Sequence, residues 1–290
     1  MAVDLQQLGQ SSEPMTATID PERAKAYAAA TNDDNPAYES GKYAPPVFAV
    51  VPVFDAMGAV SANLIPSDYL MFIVHGEQDM HFHQPLVPGT TLRTSVTPYA
   101  VRVGGSGTRV VLKTESTDES GTPIVTQYFT VFVRTMTDGE SGGPDKPEHD
   151  FSDDARAKPV GDPFVIHVDD DQTYRYRDAS GDQMPIHVDE NFAKSVGLPG
   201  IIAHGLCTMA MCSQAVIKTA ADGDPARLKR LAVRFAANVF PGNDVEVQLY
   251  DAGDGTAASV ANGVTTKAYA FEATSAGAVV IKNGRAEIAG

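Results

Sequence analysis

Apolar and polar positions alternate with period two in several stretches of the chain, and one long stretch is apolar almost all round. Leu231, Val233 and Phe235 share one face of an extended run, as do Val245, Val247 and Leu249; Lys267 to Ala273 and Val279 to Ile288 also read as strands. Gly205 to Thr219 has no polar face, which marks a helix buried on most sides. A buried helix followed by antiparallel strands predicts an α+β fold in which a sheet wraps around the helix. The first half repeats the plan, with an apolar stretch from Val47 to Val60 and strands near Arg109 to Glu115 and Gln127 to Arg134.

The repetition extends to short motifs. Tyr27 to Tyr38 (YAAATNDDNPAY) matches Tyr176 to His187 (YRDASGDQMPIH) at a spacing of 149 residues, and Pro88-Gly89 matches Pro241-Gly242 at 153. A near-constant spacing points to duplication of one fold unit. Between the copies lies Asp138 to Pro163, rich in Gly, Pro and acidic residues and almost free of large apolar side chains, which reads as a solvated linker. The expected organisation is a first unit at 1–137, a linker at 138–163 and a second unit at 164–290.

Composition narrows the function. A 43% hydrophobic share suits a packed globular protein, and a net charge of −15 opposes binding to nucleic acid or an anionic bilayer. Cys207 and Cys212 lie five apart, off a shared helical face, so no disulfide is expected and a reducing cytoplasm fits. No stretch reads as a membrane span. The opening residues lack the basic flank and apolar run of a signal peptide, and Glu287-Ile288-Ala289-Gly290 is not a peroxisomal address.

Candidate chemistry gathers in the second copy. Pro185 stops a regular helix from running through Ser180 to Asp189, so the stretch forms a loop able to aim Asp182 and His187 into a common cavity as an acid/base pair. A plain hydrogen-bonded turn is the alternative. Gly205 stands at the start of the buried helix, where an exposed backbone N–H could hold a developing oxyanion; tight packing of the sheet would equally explain a glycine there. A base, an acid and an oxyanion donor are what addition of water to an enoyl thioester requires. His75, His81 and His83 suggest a metal only weakly, since no cysteine or suitably spaced carboxylate completes a set. Met209 and Met211 fit helix packing. Lys229, Arg230 and Arg234 could each contact an anion or be ordinary surface charges. No phosphate-binding glycine loop joins a strand to a helix, so no nucleotide cofactor is indicated.

At Tyr176 to Asp189 and Ile202 to Gly205 the sequence resembles the MaoC-like hydratase family, also called hydratase 2 or R-specific enoyl-CoA hydratase, whose pattern is roughly Y-x-x-x-S-G-D-x-N-P-[LI]-H-x-D followed by [IV]-x-H-G. In the first half, His75 to Asp79 and Phe82 to Leu86 are similar to strings in the N-terminal domain of its two-domain form. The resemblance implies a tandem hot-dog fold and hydration of trans-2-enoyl-CoA to (R)-3-hydroxyacyl-CoA, or the reverse dehydration. It implies a catalytic Asp182 and His187, a Gly205 N–H on the thioester carbonyl, and Ser180, Gly181 and His204 in substrate binding. No metal or separate cofactor is implied, CoA entering as part of the substrate, and a homodimer is expected.

In the first half Tyr38 stands at the place of His187, and Val50-Val51 at that of His204-Gly205. Asp33 is therefore expected not to be catalytic, and the resemblance implies that this half makes room for the acyl chain. One departure stands out: Met184 occupies the family's Asn position and cannot make an amide's hydrogen bonds. It would signal a decayed site in the rival reading, a catalytically silent acyl-thioester binding subunit; run in reverse, the hydratase chemistry is that of a 3-hydroxyacyl dehydratase on CoA or carrier-protein thioesters.

Overall fold

Ten strands form one antiparallel sheet in the computed structural model, which describes residues 3–256 and 263–290. The first half supplies β1 (Met15–Thr18), β2 (Ile73–Phe82), β3 (Thr91–Gly104), β4 (Gly107–Thr117) and β5 (Pro123–Arg134). The second supplies β6 (Pro159–His167), β7 (Leu228–Phe235), β8 (Asp244–Asp254), β9 (Thr266–Ser275) and β10 (Ala278–Ala289). Their order is β1-β3-β4-β5-β2-β7-β10-β9-β8-β6. Read inward from each edge the two halves have the same order, so the repeat seen in the motifs is also a repeat of topology. The halves join where β2 pairs with β7, His81 opposite Arg230 and Glu77 opposite Arg234. This is the tandem hot-dog arrangement.

The helix after the edge strand and the long helix before the central strand occupy the same chain positions in each half. The helices of the first half are α1 (Pro21–Ala30), α2 (Pro36–Glu39) and α3 (Phe54–Leu64). Next come α4 (Asp153–Arg156), α5 (Gln172–Ser180), α6 (Glu190–Ser195) and α7 (Gly205–Ala220). Every residue of α7 from Leu206 to Ile217 is buried, as its all-round apolarity requires. Its counterpart is broken. Pro46–Val53 winds as a 3-10 helix with Pro52 inside it before α3 begins. A proline lacks the amide proton that a continuous α-helix would use there.

Three sequence readings need correction. Pro46–Leu64 is a helical run of 19 residues with mean hydropathy 1.6, so among the described residues one segment does qualify, by length and composition alone, as a membrane span. It packs on the sheet and about 44% of it is buried, as core helices of globular folds also are.

Second, the acidic stretch at 138–163 is largely solvent-exposed, as expected, but it is not a free spacer. It contains α4 and the first residues of β6, and it runs as a strap against the sheet. Arg102 donates to the carbonyls of Gly142 (2.7 Å), Gly143 (3.1 Å) and Pro144 (2.9 Å). Lys146 pairs with Glu77 at 2.8 Å, and the buried His149 donates from Nδ1 to Asn283 O at 2.6 Å.

Third, Arg230 is not a surface cation. It is 1% exposed and grips Asp79 through Nε (3.0 Å) and Nη2 (2.8 Å), with Glu287 at 3.5 Å. His81 adds a contact to Asp79 at 3.1 Å.

Candidate active site

The loop carrying Asp182 is made by the way α5 ends. Gly181 adopts a left-handed conformation (φ +84°) and its N–H bonds Arg177 O at 2.8 Å, a helix stop that a residue with a side chain makes only under strain. Asp182 follows at once. Its N–H donates to Ser180 Oγ (3.1 Å), and its own Oδ1 accepts the Met184 N–H (3.1 Å), closing a local turn. Pro185–His187 then forms one 3-10 turn that brings His187 back over the loop.

His187 is buried and its ring is oriented: Nδ1 lies 2.8 Å from Ile202 O. A carbonyl only accepts, so Nδ1 carries the proton and Nε2 of the neutral ring keeps its lone pair. Burial lowers the His187 pKa below the ordinary histidine value, partly offset by the bond to Ile202 and by the Asp182 charge. His204 stacks on His187, ring centroids 3.8 Å apart, and its ring also lies 4.8 Å from that of Tyr176. Its Nε2 faces Asp182 O at 3.3 Å, while Nδ1 is buried with no hydrogen-bond partner among the described residues. Burial and the neighbouring His187 hold the His204 pKa down to about 3, so it is a neutral brace.

Asp182, His187 and His204 bring one heteroatom each to within 4.8 Å of the others, the one such group among the described residues that could hold a metal. The two rings are stacked within 26°, so their lone pairs lie in near-parallel planes, and an ion at ~2 Å from both nitrogens would sit out of both. The arrangement suits proton transfer better. His75, His81 and His83, which suggested a metal only weakly, do not converge: His75 packs on Phe129 (4.1 Å) and Phe235 (4.7 Å), and His81 turns to Asp79.

Gly205 is the first residue of α7 and His204 its N-cap, so the Gly205 N–H has no acceptor within the helix. A Cβ at Gly205 would stand 3.2 Å from the Phe235 ring, so packing alone accounts for the glycine, and the oxyanion role rests on the helix start. Ser180, Gly181 and His204 are all in place around Asp182, but their polar contacts within the chain support the loop. The Met184 side chain is 50% exposed and only its backbone takes part. Lys229 Nζ bonds Ala226 O (2.9 Å), whereas Arg234 is half exposed.

In the first half Asp33 and Tyr38 line a separate cavity of about 470 Å³ with Lys25, Ala28 and Asn35. Burial raises the Asp33 pKa to about 6, and the Tyr38 hydroxyl has no partner among the described residues. A phenol there offers no titrating base near neutrality, because burial and the Asp33 charge push its pKa well above the usual value.

Two contributions escaped the sequence reading. Arg23 of α1 reaches across to the loop, donating to Ala179 O (2.8 Å) and Ser180 O (2.7 Å). Tyr27 and Tyr176, the equivalent tyrosines of the two copies, share a hydrogen bond of 3.0 Å. The 149-residue spacing was the available signal for that pair.

The chain is similar to known proteins along both halves. The MaoC like domain family matches residues 155–272, and the FAS1-like dehydratase domain region matches 6–127. The chain is 31% identical over 226 residues to the peroxisomal multifunctional enzyme type 2 of Drosophila melanogaster, covering 71% of this chain but only 36% of that protein. It is 30% identical over 215 residues to the 3-hydroxyacyl-thioester dehydratase Y of Mycobacterium tuberculosis, covering 71% of this chain and 70% of the relative. A MaoC-like dehydratase from Phytophthora capsici superposes over 99% of this chain and 98% of its own with a TM-score of 0.86 at 26% identity. With the motif, the doubled topology and these matches in agreement, the chain belongs to the MaoC-like dehydratase family.

Proposed function

We propose that the chain adds water reversibly across the 2,3 double bond of a trans-2-enoyl thioester, giving the (R)-3-hydroxyacyl thioester. The observation that carries this is the convergence of Asp182, an oriented neutral His187 and the first N–H of α7 at one place. Relatives named as enoyl-CoA hydratase 2 and as 3-hydroxyacyl-thioester dehydratase support it, and a CoA thioester is the substrate they suggest.

The proton balance closes within the dyad. Water held between Asp182 and His187 gives up a proton to the pair as its oxygen bonds C3, and the C2–C3 π electrons move onto the thioester as an enolate. The Gly205 N–H stabilises that oxyanion, aided by the positive end of α7. The proton then passes from the dyad to C2 on the same face, restoring both residues. Dehydration is the same path reversed. Protons alone suffice, and neither a metal nor a redox group is required.

The test is to follow loss of enoyl-thioester absorbance with crotonyl-, octenoyl- and steroid-type CoA substrates. Turnover that disappears in Asp182→Asn and His187→Asn supports the hydratase; no turnover by the folded protein on any of them would favour the silent thioester-binding subunit.

A further inference from the structure

We propose that Arg23, in the half that lacks the acid/imidazole pair, is a positioning residue for Asp182; this rests on the hydratase reading above. The last carbonyls of a helix have no N–H above them, and α5 ends at Ser180 with Ala179 O and Ser180 O in that state. Arg23 answers both, Nε on Ala179 O and Nη2 on Ser180 O at 2.8 and 2.7 Å. A planar guanidinium presents two donors in a fixed fork, so it fixes the direction of successive carbonyls as well as matching the negative end of the helix.

A second observation concerns the next residue. A Cβ at Gly181 would lie 2.7 Å from Arg23 Nη2, so the fork fills the space that a side chain would take. Asp182 comes immediately after, its N–H tied to Ser180 Oγ. The Arg23 fork therefore orients the peptide planes from which the Asp182 carboxylate projects, while His204 holds the far side through Asp182 O.

The exchange is mutual. Gln172, which stands 149 residues after Arg23, donates to Ala30 O at the end of α1, and Arg175 Nη1 donates to Ala29 O at 2.9 Å. Each of the two equivalent helices has its end capped by the other, but only α5 leads into the acid/imidazole loop. Half one thus retains a task in the chemistry after losing its own dyad. Arg175 provides the matched control, an arginine in the same interface whose bond serves the end without the dyad.

The experiment measures kcat and KM for 2-enoyl-CoA hydration, with thermal unfolding, in the full chain and in Arg23→Ala, Arg23→Lys, Arg175→Ala and Asp182→Asn. Misplacing a catalytic group by about 1 Å can cost on the order of 100-fold in rate. Arg23→Ala is expected to lose about 10- to 100-fold in kcat with KM within about threefold, and Arg23→Lys, a point donor, to fall between it and the parent. Because Arg23 is on the exposed side of α1, millimolar methylguanidinium should restore part of the Arg23→Ala rate. Arg175→Ala should keep kcat within about threefold of the parent, whatever its melting temperature. Parent-like kcat in Arg23→Ala, or an equal loss in Arg175→Ala, overturns the positioning role even where Asp182→Asn is dead. Full turnover in Asp182→Asn overturns the hydratase reading, and this proposal with it.

Discussion

In the proposed mechanism His187 works only while its ring is neutral at Nε2, and burial favours that form by lowering its pKa below the ordinary value near 6.5. The kcat/KM profile should therefore be level on the His187 side from pH 6.5 upward and fall only at lower pH; an acid limb centred above 7 would contradict the assignment. Asp182→Asn should lower turnover by about 100- to 10,000-fold, the range expected for a positioned acid or base. Met184→Asn should change kcat by less than about threefold, since the position contributes its backbone N–H and its side chain faces solvent. The loop was legible because its residues are local: a turn glycine, a proline and two polar groups within eight positions. Arg23 was not, because nothing local marks a donor whose acceptors lie 156 and 157 residues away.

The helix that starts at Gly205 couples the site to the sheet through Phe235. Gly205→Ala would press a methyl against that ring at 3.2 Å, and overpacking of this kind costs about 1–3 kcal/mol. Adding Phe235→Leu should recover part of the loss, a coupling that chemical denaturation of the single and double variants would read; strict additivity would sink the packing explanation. The buried helix was readable from its lack of a polar face. Its broken counterpart was only half readable: the apolar stretch after Val47 is there, and Pro52 marks the interruption, but composition does not say that the chain winds as a 3-10 helix before resuming as α3. Strand identity followed from alternation in outer segments such as β8. β7 was read as a strand in the same way, but Arg230 was left among possible surface charges, because alternation does not show that residues on both faces of this strand are buried.

In the whole molecule, the two halves meet along β2 and β7 around the Asp79–Arg230 pair, each member 1% exposed. Removing one partner strands the other charge, so Arg230→Met should cost about 3–5 kcal/mol, and Asp79→Leu added to it should return part of that. Stability should also fall on acidification. The unfolded chain takes up protons on histidine near pH 6.5, whereas folded His204 resists until about 3 and His75 until about 4. His204 alone then withdraws on the order of 3 kcal/mol by pH 4.

Below pH 4.5 Glu77 and Asp79 add to the loss, because the unfolded chain protonates its carboxyls there while the lowered folded pKa values keep these two ionised. Asp33, raised to about 6, opposes the trend between pH 6 and 4, one group against the lowered His75, His187 and His204. A melting temperature that rises from pH 7 to 4 would contradict this balance. Duplication itself was visible in the spacing of 149 residues, but the strap over the sheet was not, because its acidic, glycine-rich composition matches that of a solvated spacer.

The most direct test of the account is the absorbance assay on the purified chain with 2-enoyl-CoA substrates, run beside Asp182→Asn of matching melting temperature. Hydration by the parent and its loss in the variant is the result expected. Equal rates in both, or none in a correctly folded parent, would show that the gathered aspartate, histidine and helix start do not carry out this chemistry.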